Sequence, residues 1–150
     1  VYRDDRVPLV AENFATMADV YRILGLLPDH ADLGETMDHQ PKDELSSLRR
    51  LARMVGADYQ EQDHDDWLAV ANYLSLRQKQ HIINKIKNIN ADHPGIRTIV
   101  AAGIGRFLVR KIAGDLNFQY QDFADCVVPE EVQTNSTASD CAPAISLVFS

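Results

Sequence analysis

Two glycines separated by one residue, Gly103 and Gly105, stand immediately before Arg106. Glycine opens backbone conformations that other residues rarely adopt, and its missing Cβ lets a ligand approach the main chain closely. A helix that starts at Arg106 presents N–H groups that attract anions, and the arginine adds a positive charge. These three residues are therefore the candidate cofactor-binding residues, for a phosphorylated small molecule.

The same glycine step has a simpler interpretation as a packing turn. No third glycine follows at the spacing of dinucleotide-binding folds, and no Lys-Ser/Thr pair follows as in a P-loop. A lone Gly-x-Gly often marks a tight strand-to-helix connection in a packed α/β core. On the residues alone the packing turn is favoured, and the ligand site is the alternative.

A second set of polar residues falls near the start of the chain. The apolar periodicity predicts a helix from Pro8 to about Gly25, and residues three and four apart share one face of a helix. Two carboxylates and a hydroxyl on that face could converge on a metal or a substrate. The candidate catalytic residues are Glu12, Thr16 and Asp19. The alternative is an ordinary solvated helix face.

Two further features, a loop rich in histidine and carboxylate residues and a cysteine, are typical of functional sites, but the sequence favours a structural interpretation of each. Histidines and carboxylates crowd residues 29–44, and such ligands suit zinc or manganese, but no metal-ligand spacing occurs there, so we predict no metal site. Cys141, next to Asp140 at a predicted helix start, could be a reactive thiol. A buried, unreactive cysteine is the favoured interpretation, because buried cysteines are more common.

The elements that must position these residues change in character along the chain. Helical periodicity and helix breakers fill the first two thirds, and the last third predicts a strand–helix–strand–helix unit. The predicted elements after the first helix are a loop over 29–44, helices over 45–56, 67–90 and 106–116, strands over 98–102 and 118–128, and a last helix from Ser139. The prediction is an α/β protein with parts 1–28, 29–95 and 96–150.

Composition restricts the class of protein. The 150 residues suit a single domain, and a net charge of −7 argues against a nucleic-acid partner, because no basic stripe could neutralise a phosphate backbone. We expect no membrane partner, since no apolar run approaches the roughly 20 residues of a membrane span. Two cysteines without metal spacing fit a reduced, cytoplasmic protein. The chain begins at Val1, so we expect it to be a piece of a longer protein.

Four segments resemble a known family: "PLVAENFATMADVYRILGLLP", "SSLRRLARMVGAD", "TIVAAGIGRFLVRKIA" and "SDCAPAISL". They are similar to the tetrahydromethanopterin-linked one-carbon-transfer pathway proteins, a hydantoinase/oxoprolinase-like family within the superfamily of actin, sugar kinases and heat-shock ATPases. The resemblance covers nearly all of this chain but only the C-terminal half of the family. It implies a ribonuclease-H-like lobe of a two-lobed, actin-like fold, with a helical insertion at about 29–95.

The resemblance also implies a function. The family's phosphate loops belong to the half that this chain lacks, so the missing N-terminal half is an expected partner, and a homodimer is possible. The favoured activity is a transferase of methanofuran biosynthesis that joins a furanmethyl diphosphate to a phenolic amine, with Mg²⁺ and without ATP. The alternatives are an ATP-dependent oxoprolinase-like hydrolase or small-molecule kinase, and a non-catalytic ligand-binding or assembly module.

Overall fold

The computed structural model describes residue 6 and residues 8–126. This part of the chain is mostly helical and carries a small parallel sheet, so the predicted α/β class is confirmed. Its helices are α1 (Met17–Ile23), α2 (Glu44–Met54), α3 (His64–Asp92) and α4 (Arg106–Asp115), and its strands are β1 (Thr98–Ala101) and β2 (Gln119–Asp122). Short 3₁₀ turns occupy Glu61–Asp63 and Phe123–Cys126.

The chain divides into two compact units, and the boundary falls within α3, between Gln78 and Lys79. In the first unit, α1, α2 and the beginning of α3 bury one apolar cluster. The members of this cluster are Val20, Ile23, Leu48, Leu51, Ala52, Trp67, Val70 and Ala71. The predicted boundaries after residues 28 and 95 stay predictions.

The first helix begins nine residues later than the predicted Pro8, and its start at Met17 has a local and a tertiary cause. Locally, the Thr16 hydroxyl accepts the Ala18 N–H (3.2 Å) and the Asp19 carboxylate accepts the Thr16 N–H (2.9 Å), which is a capping box. Upstream, the Val10 N–H donates to the Met54 carbonyl at the end of α2 (2.7 Å). That carbonyl lacks a partner within its own helix, so this bond favours a non-helical path before Thr16.

Capping also explains α2, whose predicted position is confirmed. Asp43 precedes the helix in an extended conformation, and its carboxylate accepts the Ser46 N–H at 2.7 Å. Gly56 follows the helix with φ +72°, a conformation that suits glycine. The long helix α3 is likewise close to its predicted range.

The second unit contains β1, α4 and β2 in a parallel β–α–β arrangement. The register pairs Thr98 with Gln119 and Ala101 with Asp122. Leu108, Ile112 and Ala113 form the buried side of α4. Because parallel strands point the same way, the carboxyl ends of both strands and the start of α4 lie at one edge of the sheet.

The second predicted strand, 118–128, is shorter than expected. It ends at Asp122, where the carboxylate accepts the Ala124 N–H at 3.1 Å and the chain enters a 3₁₀ turn. The predicted helix from Ser139 lies outside the described residues, as do Asp140 and Cys141. Among the described residues, no helix is both long enough and apolar enough to cross a membrane.

Candidate functional site

The glycine step lies at the carboxyl end of β1 and leads directly into α4. Gly103 has φ +78°, a left-handed conformation that an L side chain adopts only with strain, whereas Gly105 has an ordinary φ of −77°. A Cβ built on either glycine would meet no atom within 4 Å. Neighbouring atoms therefore do not require a glycine at either position. Only the left-handed turn at Gly103 still supports the packing-turn interpretation.

Arg106, the first residue of α4, lies beside this step. Its Nη1 donates to the Gly103 carbonyl at 3.3 Å, and its Nε lies 3.4 Å from the Asp122 Oδ2. The two side chains are 21% and 17% exposed, so the pair is largely but not fully removed from water. The guanidinium is thus held next to the open surface of the two glycines.

Asp122 is a residue that sequence reasoning missed. It ends β2, and besides Arg106 its carboxylate accepts the Tyr120 hydroxyl (3.2 Å) and the Ala124 N–H (3.1 Å). Arg110 lies over the Tyr120 ring, 4.6 Å from its centroid. The predicted strand over 118–128 placed Asp122 inside it, whereas the structure places it at the strand's end, the edge at which α/β proteins bind ligands.

The chemistry at this edge is that of an anion site with an adjacent carboxylate. Gly105 is the N-cap of α4 and supplies no side-chain cap, so the positive end of the helix dipole faces the same edge as Arg106. The first N–H groups of α4, those of Arg106 and Leu108, donate to the carbonyls of Gly103 and Gly105, so the guanidinium and the helix dipole are what this edge offers to a phosphate group. A carboxylate can accept a hydroxyl or contribute one ligand to Mg²⁺.

The candidate catalytic residues do not form one helical face. Glu12 is exposed and precedes α1, and Thr16 is the N-cap, so the prediction of a shared helical face is wrong. The cause is the late start of α1. Whether Glu12, Thr16 and Asp19 take part in catalysis stays a prediction.

Asp19 is buried at the centre of a polar network within the first unit. Its Oδ1 accepts Arg50 Nη2 (2.7 Å), Arg50 Nε (2.9 Å) and Ser47 Oγ (3.0 Å), and Arg22 Nη1 lies 3.3 Å away. Its Oδ2 accepts the Thr16 N–H. Both carboxylate oxygens are therefore engaged by the protein itself, which is the arrangement expected of a structural ion pair.

The loop between α1 and α2 adds two more carboxylates to this network. Arg50 Nη1 donates to Asp38 Oδ1 at 3.1 Å, and Arg22 Nη2 donates to Asp32 Oδ2 at 2.7 Å. Burial alone would lower the pKa of Arg50, but the hydrogen bonds and charges of Asp19 and Asp38 outweigh it and raise that pKa. Burial would likewise raise the pKa of Asp38, but the Gln40 N–H and Arg50 hold it below its usual value.

His39, one of the two histidines of the same loop, lies next to a single carboxylate at the surface. His39 lies 3.7 Å from Glu35, and both side chains are at least 79% exposed. Among the described residues, no group of three or more histidine, cysteine, aspartate or glutamate side chains could hold a metal ion. The loop carboxylates that the structure does bring inward, Asp32 and Asp38, bind arginines instead.

Comparison with known proteins adds no family to this description, because no protein-family model matches the chain and no curated protein matches its sequence.

Proposed function

We propose that the chain binds a phosphorylated small molecule at the carboxyl ends of β1 and β2, with Gly103, Gly105 and Arg106 as its contacts. The observation that carries this proposal is the open surface over Gly103 and Gly105, with Arg106 held beside it. Gly105 has neither a left-handed φ nor a crowded surrounding, so its missing Cβ leaves room for the close approach of a ligand, in addition to suiting the N-cap position of α4.

Within this proposal, the β1–α4–β2 segment is part of a ribonuclease-H-like lobe of a cytoplasmic, actin-like protein completed by an N-terminal half. The proposed reaction joins a furanmethyl diphosphate to a phenolic amine and releases diphosphate. Arg106 and the start of α4 would stabilise the negative charge that develops on the leaving group. Support comes from the sequence resemblance and from the parallel β–α–β arrangement at the predicted place.

The residues present fit a magnesium ion only in part. Asp122 offers the oxygen ligand that Mg²⁺ prefers, but Arg106, Tyr120 and Ala124 already engage its carboxylate. Mg²⁺ bound here would take most of its ligands from phosphate oxygens and water, and it would neutralise charge on the diphosphate.

A second candidate is the ATP-dependent hydrolase or kinase, and the position of Asp122 favours it. A carboxylate at the end of the second strand of a β–α–β unit is placed to accept a ribose hydroxyl while the phosphates lie at the helix start. A nucleotide would then occupy the same glycine step as the diphosphate, and ATP would be consumed. A non-catalytic module would bind either ligand without turnover.

The binding step is tested with the full chain by calorimetric titration of inorganic diphosphate and of ATP, each with Mg²⁺. Gly105→Ala adds one methyl group at the proposed contact, and we expect it to weaken binding about tenfold, as a misplaced phosphate loses about one charge-assisted hydrogen bond. Gly114→Ala, in α4 and away from the step, is the matched control and is expected to bind like the native chain. Equal affinity in all three proteins would exclude the glycine step as the site.

The reaction is tested with protein that also carries the N-terminal half. Diphosphate release from a furanmethyl diphosphate and a phenolic amine is followed with and without ATP. Release without ATP supports the transferase, and product only with ATP supports the hydrolase or kinase. Binding without turnover of either kind supports the module.

A further inference from the structure

A cavity of about 430 Å³ in the first unit lies between the end of α1 and the following loop, separate from the glycine step. Its volume is within the range of small-molecule sites. Two cationic side chains, Arg22 and Lys42, contribute to its wall, together with Asp29, Asp32 and a set of mostly apolar loop residues. These loop residues are Leu27, Pro28, Ala31, Leu33 and Gly34.

The two cations share one carboxylate. Asp32 Oδ2 lies 2.7 Å from Arg22 Nη2 and 3.5 Å from Lys42 Nζ, and the Lys42 ammonium also donates to the Asp32 backbone carbonyl. A carboxylate between a guanidinium and an ammonium has the same partners that a bound carboxylate or phosphate group takes in a protein site.

Arg22 is fixed in position independently of Asp32. Its other terminal nitrogen, Nη1, lies 3.3 Å from Asp19 Oδ1 and 3.1 Å from Ser47 Oγ. Ser47 is fully buried and Asp19 nearly so, so these partners orient the guanidinium from the protein side. Movement of Asp32 would leave Nη2 directed at the cavity without changing the position of the arginine.

Asp32, in contrast, belongs to the loop. It has φ +61°, the left-handed region, and its side chain is 30% exposed. Arg22 lies on α1 and its side chain is only 14% exposed. The carboxylate is therefore the member of the pair that can leave, since it has solvent beside it and no regular element around it.

We propose that this cavity is a site for a small oxyanion, a carboxylate or a phosphate group, and that the Asp32 carboxylate occupies it as an internal competitor. A ligand oxyanion displaces Asp32 and takes its place between Arg22 Nη2 and Lys42 Nζ. The adjoining Leu27 and Pro28 contact the uncharged part of the ligand. This site is independent of the glycine step, so either can fail without the other.

The test uses the full chain and amide NMR shifts of residues 22, 27, 29–34 and 42. Sodium phosphate and sodium acetate are separate probes, and sodium chloride at equal ionic strength is the baseline. Asp32→Asn keeps the backbone carbonyl that Lys42 contacts but removes the competing charge. We expect it to bind the oxyanion about fivefold more tightly than the native chain. Without the partly exposed ion pair to Asp32, a larger fraction of the molecules has the site open.

Lys42→Gln removes one of the two cations and is expected to weaken binding about fivefold. Arg53→Gln, an exposed cation of α2 that does not line the cavity, is the matched control and is expected to bind like the native chain. Saturable shifts support the site if Asp32→Asn binds more tightly than the native chain and Lys42→Gln more weakly. The probe that gives them, phosphate or acetate, shows which oxyanion the site takes. Equal affinities in all four proteins, or no saturable shift in Asp32→Asn, would overturn the proposal.

Discussion

Asp19 and Arg50, 31 residues apart in the chain, form a buried ion pair in which one carboxylate oxygen accepts both Nε and Nη2 of the guanidinium, at 2.9 and 2.7 Å. Their side chains are 7% and 2% exposed. The pair joins α1 to α2, and through Arg22 and Asp38 it also holds the loop between them. Asp19, a candidate catalytic residue, is thus at the centre of the buried polar contacts of the first unit.

The first prediction concerns this pair. Asp19→Asn should lower the free energy of unfolding by about 3–5 kcal/mol, because it leaves the buried Arg50 charge without its main partner. Chemical denaturation measures the change. Asp58→Asn, an exposed carboxylate, is the control and should change stability by less than about 0.5 kcal/mol. An Asp19→Asn protein as stable as the native chain would show that the ion pair does not stabilise the first unit.

The second prediction concerns the cap of α2 and its pH dependence. The Ser46 N–H bond holds the pKa of Asp43 below its ordinary value. A carboxyl group whose pKa is lower in the folded state stabilises the fold above its unfolded pKa of about 4, and this contribution is lost as the pH falls through the lower, folded value. Asp43→Asn keeps a capping oxygen but does not titrate there.

The native chain should therefore lose its stability advantage over Asp43→Asn between about pH 4 and the lowered pKa, and keep a constant advantage above about pH 5. Denaturation of both proteins across this range measures it. A difference that is the same at every pH would show that the Asp43 charge adds nothing to the cap.

The third prediction separates the two roles of glycine at the step into α4. Gly103→Ala should cost about 1–2 kcal/mol of unfolding free energy, because alanine is strained at φ +78°. Gly105→Ala should cost less, up to about 1 kcal/mol, since its φ is ordinary and its Cβ has room, and alanine is only a poorer N-cap than glycine. Thermal unfolding followed by circular dichroism compares the two. A loss in Gly105→Ala as large as that in Gly103→Ala would mean that packing requires this glycine.

The fourth prediction concerns Arg106. Arg106→Gln should weaken diphosphate binding about tenfold, because a charged hydrogen bond to phosphate contributes roughly 1.5–3 kcal/mol. Arg110→Gln, one turn later in α4 and over the Tyr120 ring, is the matched control for charge and should change the affinity less than twofold. Calorimetric titration at constant ionic strength measures both. Equal losses in the two variants would indicate a general charge effect in place of a contact.

Several elements are determined by the sequence alone because their signals are local. Asp43 and Gly56 bound α2, His93-Pro94-Gly95 follows α3, and the glycine pair separates β1 from α4. Each acts through the backbone conformation or the capping bond of a few adjacent residues. The strand–helix–strand order and the candidate contacts Gly103, Gly105 and Arg106 follow from the same local signals.

Only the tertiary structure decided where α1 begins and what its polar residues do. The Val10 N–H bonds to Met54, and Asp19 pairs with Arg50, so the partners lie 44 and 31 residues away. Periodicity reports which residues share a face of a helix, but it carries no record of a partner on another element. The same holds for Asp122, which reaches Arg106 only because β2 lies parallel to β1 and brings both carboxyl ends to one edge.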